Sequence, residues 1–96
     1  MIMGKKGQSH DKRDTEKRAG HRRHVLLKLD RGPMSVTDLQ DDLAARCGSR
    51  EAVHIALDGC KIRGLVESTG RGSVWTATIT DEGRAEVARI RGQVAA

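Results

Sequence analysis

The chain has 96 residues, of which 32% are Asp, Glu, Lys or Arg, 36% are hydrophobic and one, Trp75, is aromatic. That bounds it to one small domain whose single core is built from Leu, Val, Ile and Ala, and such a core gains from a partner subunit. No apolar run approaches the roughly 18 residues of a membrane span, and polar residues follow Lys5-Lys6 where a secretory signal needs an apolar stretch, so the expectation is a cytoplasmic protein with no membrane partner.

The net charge of +5 is unevenly placed. Residues 1–24 hold eight Lys or Arg and three acids, whereas residues 25–96 hold ten of each and are neutral. From Met1 to about Gly20 nothing is available to bury, so residues 1–20 read as a disordered basic arm. Such an arm is either a solubilising tail or a segment that lies along phosphates. Residues 21–96 read as the folded domain.

In "HRRHVLLKLDRG" the residues Val25, Leu26 and Leu29 form a helical stripe that Gly32-Pro33 closes, which predicts a first helix beginning near His21. "MSV" is a short extended piece. "TDLQDDLAARCG" places Thr37 and Gln40 at capping-box spacing, turns Leu39, Leu43 and Ala44 inward and stops at Gly48, a second helix. Ser49 caps a third, "SREAVHIALDGCKIRG", whose inward stripe is Val53, Ala56, Leu57, Cys60 and Gly64. "LVEST" and "SVWTATIT" flank "GRG", Gly70 to Gly72, as a hairpin in which Trp75, Ala77 and Ile79 share a face. Thr80 then caps a fourth helix, with Asp81 and Glu82 in its first turn and Arg89 and Arg91 in its last.

This order, with "VTDLQDDLA", "CGSREAV", the L-x-x-C-x-x-x-GLV run at Leu57, Cys60 and Gly64 to Val66, and "ITDEGR" at Ile79 to Arg84, resembles the winged helix-turn-helix domains of small bacterial, archaeal and phage regulators. The resemblance spans most of Val25 to Arg91. It implies an α+β, mostly α fold with three helices, a two-stranded wing hairpin and a C-terminal helix. It also implies a homodimer on double-stranded DNA, with the third helix in the major groove and the wing on the backbone or minor groove. Carried onto this sequence, the DNA contacts fall at Ser49, Arg50, Glu51, His54, Ile55, Asp58 and Lys61, with Arg71 in the wing. Arg50 suits guanine, Glu51 a cytosine amine, Ile55 a thymine methyl, and Arg71 a narrow minor groove or a phosphate.

The third helix complicates that assignment. Measured from Val53, Arg50, Lys61 and His54 sit at about 60°, 80° and 100°, while Asp58, Glu51, Ile62 and Ile55 cluster at about 140° to 200°. The basic residues form only an edge. Ala52, Ile55, Gly59 and Ile62 have the spacing of a helix seam, the alternative reading being a protein-interaction module, an adaptor or an inhibitor of a nucleic-acid machine. Three plainer readings stay open: an exposed Ile55, an Ile62 tucked under the hairpin or fourth helix where the third frays near Arg63, and a bend at Gly59.

No arrangement of residues supports catalysis, because there is no acid pair in a plausible cleft, no Ser-His-Asp set and no phosphate loop. Cys47, His54 and Cys60 diverge in their helical positions and lack a fourth ligand, so no metal or other cofactor is expected. Cys60 reads as a small core residue, Cys47 as part of a turn, and both as reduced.

Overall fold

The computed structural model describes the backbone of residues 2–71 and 74–95 and the side chains of residues 16–70 and 75–93. Its elements are α1 (Ile2–Leu29), β1 (Met34–Ser35), α2 (Val36–Cys47), α3 (Arg50–Ile62), β2 (Val66–Arg71), β3 (Val74–Ile79) and α4 (Asp81–Ala95). The strands form one antiparallel sheet in the order β1-β3-β2. β1 is thus a third strand added to the expected hairpin, with Met34 opposite Ala77 and Ser35 opposite Thr76.

The first helix does not begin near His21: it is described as continuous from Ile2. Its packed end supplies the physical reason. Val25, Leu26 and Leu29 are buried in the core, and a turn anchored there nucleates the helix. Each further residue then adds one hydrogen bond at the small cost set by its propensity, and residues 2–24 contain no proline to stop it.

The cap of α2 also differs from the one expected. Ser35 rather than Thr37 is the N-cap, its hydroxyl accepting from the Asp38 N–H at 3.1 Å. Gln40, freed from the capping box, donates through Nε2 to the Arg50 carbonyl at 3.2 Å and so ties α2 to α3. Gly48, left-handed at φ 99°, ends α2 by donating to the Ala44 carbonyl. Ser49 caps α3 as the sequence indicates, accepting from the Ala52 N–H at 3.1 Å.

The inward stripe of α3 is Val53, Ala56, Leu57 and Cys60. Gly64 is not on it, because the helix has already ended. Leu65 N–H donates to the Cys60 carbonyl at 2.9 Å and Gly64 N–H to that of Lys61 at 3.0 Å, with Gly64 at φ 75°. This is a Schellman termination, which the missing Cβ of glycine permits, and it turns the chain cleanly into β2.

Leu39 and Leu43 of α2, Val66, Ala77 and Ile79 of the sheet, and Val87 and Ile90 of α4 complete the core, with Cys47 and Cys60 buried among them as free thiols. Strands β2 and β3 pair in register from Val66 opposite Ile79 to Arg71 opposite Val74. That register places Gly70 and Arg71, expected in the turn, at the end of β2, while Gly72 lies outside the described residues. Thr80 caps α4, its hydroxyl accepting from the Gly83 N–H at 3.1 Å and donating to the Gly64 carbonyl at 2.7 Å. The helix runs to Ala95, so Arg89 and Arg91 are not in its last turn. Arg91 instead pairs with Asp30 at 3.0 Å and Arg89 with Glu86 at 2.9 Å.

Candidate nucleic-acid interface

Because α3 buries one stripe against α1 and α2, its remaining surface is a ridge between two concave flanks. The wing-side flank is a cleft of about 140 Å³ lined by His54, Leu57, Asp58 and Lys61 of α3, Val36 of α2, and Ser68 and Trp75 of the sheet. The opposite flank is a groove of about 360 Å³ between α3 and α1. There Ala52, Ile55, Gly59 and Ile62 face Arg18, His21 and Arg22, with Arg63 at the end of the helix.

The residues expected to touch DNA therefore do not form one face. Ser49 spends its hydroxyl on the helix cap. Arg50 is paired with Asp41 of α2, and Glu51 is exposed in the first turn of α3. His54 Nε2 lies 3.4 Å from Asp58, and Lys61 Nζ lies 3.9 Å from the same carboxylate. These three gather on the wing-side cleft, whereas Ile55, 49% exposed, lies on the α1 side. The backbone of Arg71 ends β2 opposite Val74, and its side chain lies outside the described residues.

The ion pairs make the outward surface of α3 close to neutral, but they bind weakly. Arg50 and Asp41 are both about half exposed, and exposed pairs of this kind contribute at most about 1 kcal/mol. A phosphate or a guanine edge can take Arg50 from Asp41 at little cost.

Ala52, Ile55, Gly59 and Ile62 line one groove, and one of the plainer readings is corrected. Ile62 is 84% exposed, so it does not tuck under the hairpin or α4. At Gly59 a Cβ would stand 3.1 Å from the Cδ of Arg22, so glycine lets the arginine stem cross the helix.

Two features were not read from the sequence. Trp75 shares the face of Ala77 and Ile79, yet it is 44% exposed because it sits beyond the edge of the core, opposite Gly70. Alternation gives the face of a strand residue but not the distance to which the core extends. Arg22 and Arg63 converge on the α1–α3 groove from positions 41 apart in the chain. Burial, and then the charge of Arg63, pull the Arg22 guanidinium below its ordinary value.

Cys60 has its thiol pushed up to about 11 by burial, and burial raises Cys47 as well. Among the described residues no group of three or more His, Cys, Asp or Glu is assembled to hold a metal, and no helix is long and apolar enough to cross a membrane.

No family model matches the sequence, and no curated protein matches it significantly. Among solved structures, the fold is similar to that of RosR, a winged-helix transcription regulator, in the complex structures of hsRosR-S1 and hsRosR-S4. The first has a TM-score of 0.67 at 18% identity over 76% of this chain and 69% of that one. The second has a TM-score of 0.66 at 18% identity over 76% and 67%. The chain has a winged-helix fold, mostly helical, with a small antiparallel sheet.

Proposed function

We propose that this protein is a DNA-binding transcription regulator that inserts the start and wing-side edge of α3 into the major groove. The observation that carries this reading is the wing-side cleft, where His54, Asp58 and Lys61 of α3 stand beside Ser68 and Trp75 of the sheet. A duplex seated on that edge meets the helix and the wing together, with Ser49, Arg50 and Glu51 leading into the groove. Arg71, at the far end of β2, is assigned to the backbone or minor groove, and the basic arm of residues 1–20 to phosphate contacts. The similarity to RosR supports the same class of activity. Regulators of this kind bind as homodimers to half-sites about one helical turn apart, and a dimer is part of the reading.

The test is selection from a random duplex library with the full-length protein, followed by titration of the winning duplex against a shuffled one. A preference of about 10³-fold or more is expected. Arg50→Ala is expected to relax base choice at one position by about 1–3 kcal/mol and to lower the thermal midpoint by no more than about 8 °C, since Arg50 is exposed and its pair with Asp41 contributes at most about 1 kcal/mol. A library that emerges unenriched excludes sequence-specific binding. Sedimentation of the same sample reads the dimer.

A further inference from the structure

The α1–α3 groove is left unused by a duplex on the wing side, and it combines exposed apolar side chains with cations. Its α3 wall carries Ile55 and Ile62, 49% and 84% exposed and two helical turns apart. Its cations include Arg22, which lies across Gly59, and Arg63, whose guanidinium donates to the Gly59 carbonyl at 3.0 Å. Among the described residues neither arginine has a carboxylate within ion-pair distance, and the one acid lining the groove, Asp58, is engaged by His54 and Lys61. A surface that holds two guanidinium groups together beside apolar ridges is complementary to an anion attached to something apolar.

We propose that this groove docks an acidic amphipathic helix of a partner protein, which lies along α3 with its apolar side chains on Ile55 and Ile62 and its carboxylates on Arg22 and Arg63. The spacing suits a helix in a groove, since residues seven apart on α3 match a stripe repeating every two turns on the partner. A phosphate backbone satisfies the arginines but leaves Ile62 uncovered. A second copy of this chain covers Ile62 but brings Arg22 and Arg63 against their own kind. Only an acidic, apolar partner meets both demands. The inference goes beyond DNA binding and places the two activities on opposite flanks of one helix.

The full-length protein offers a direct readout, because its five isoleucines, Ile2, Ile55, Ile62, Ile79 and Ile90, give separate methyl signals on selective labelling, two of them in the groove and two in the core. The probe is a labelled, designed peptide with leucine at heptad spacing and glutamate beside it, compared with a scrambled peptide of the same composition. The expected result is movement of the Ile55 and Ile62 methyls with Ile79 and Ile90 still, and anisotropy that favours the amphipathic peptide at least tenfold. That affinity should weaken with salt and fall at least tenfold in Ile62→Asp and in Arg63→Glu. Both side chains are exposed, so melting curves should stay at wild type and certify the fold. Equal binding of the scrambled peptide, or still Ile55 and Ile62 methyls at millimolar peptide, overturns the proposal. So does a dimer that Ile62→Asp dissociates, which assigns the groove to a second copy, or DNA binding that Ile62→Asp abolishes, which assigns it to nucleic acid. Specific DNA binding measured on the same wild-type sample stands or falls separately.

Discussion

Gly83 shows how a single side chain, by being absent, closes this fold. A Cβ at that position would press on the Leu65 carbonyl oxygen and stand 2.6 Å from Cγ1 of Ile79. The close approach lets the Thr80 N–H donate to the Leu65 carbonyl at 3.0 Å and the Thr80 hydroxyl bridge Gly64 and Gly83. Gly83→Ala is compatible with helical backbone, so its cost is steric: α4 must part from the Leu65 backbone and from Ile79 of β3. A loss of about 2–3 kcal/mol is expected, as for overpacked cores, which lowers the thermal midpoint by on the order of 10 °C or more in a domain of this size. A midpoint within 2 °C or so of wild type would show that α4 can shift freely. Cys60 gives a second residue-scale expectation, one of pH. Its proton is held more tightly in the folded state, up to about 11 against an ordinary value of 9.0. The unfolded chain therefore releases that proton first as pH rises, and the stability from a buried neutral thiol, complete below pH 9, is lost toward pH 11. Denaturant midpoints at pH 8 and pH 10 should fall more in wild type than in Cys60→Ala, and an equal fall in both would remove the thiol from the account.

At the scale of elements, α3, the β2–β3 hairpin and the cleft between them form one packed unit, and Trp75 reports on it. As the sole aromatic, half exposed beside His54 and Lys61, it is the only source of intrinsic fluorescence at tryptophan wavelengths. Binding of a selected duplex on the wing side is expected to change its emission in step with binding measured by anisotropy, whereas the acidic peptide should leave it nearly unaltered. Emission that ignores saturating DNA would put the duplex elsewhere. Much of this unit was legible in the sequence, because the stripe of Val53, Ala56, Leu57 and Cys60 follows helical period and the run to Ile79 follows strand period. What was not legible depends on distance rather than on pattern. Ser35 caps α2 because β1 pairs with β3 and ends there, a tertiary event that capping chemistry at Thr37 does not encode. The exposure of Trp75 depends on where the core stops, and the meeting of Arg22 with Arg63 depends on how α1 crosses α3. A helical wheel likewise shows the angles of Ile55 and Asp58 but not their neighbours: Ile55 lines the α1 groove, whereas Asp58 borders both flanks.

For the whole molecule the governing fact is that charge and fold are separated along the chain: residues 25–96 are neutral and residues 1–24 carry the whole excess of +5. Affinity for a polyanion scales with phosphates neutralised, and each contact steepens the salt dependence by about 0.9 in the log-log slope. Base choice has a different origin, in the side chains that meet base edges. If the N-terminal stretch lies on phosphates while α3 reads bases, the two terms should separate by mutation. Replacing Lys5, Lys6, Lys12 and Arg13 by Gln is expected to flatten the salt slope by up to about 3.6, since four contacts are lost. It should also weaken the selected and the shuffled duplex by the same factor, which leaves the preference between them intact. Arg50→Ala should do the reverse, lowering the preference while changing the slope by no more than about 1. Titrations of both duplexes at 50 and 200 mM salt measure all of these quantities. A slope unchanged by the four substitutions would make the N-terminal stretch a solubilising tail and leave the phosphate contacts to the wing and α3. A loss confined to the selected duplex would mean that the stretch reads sequence, as an arm in the minor groove does.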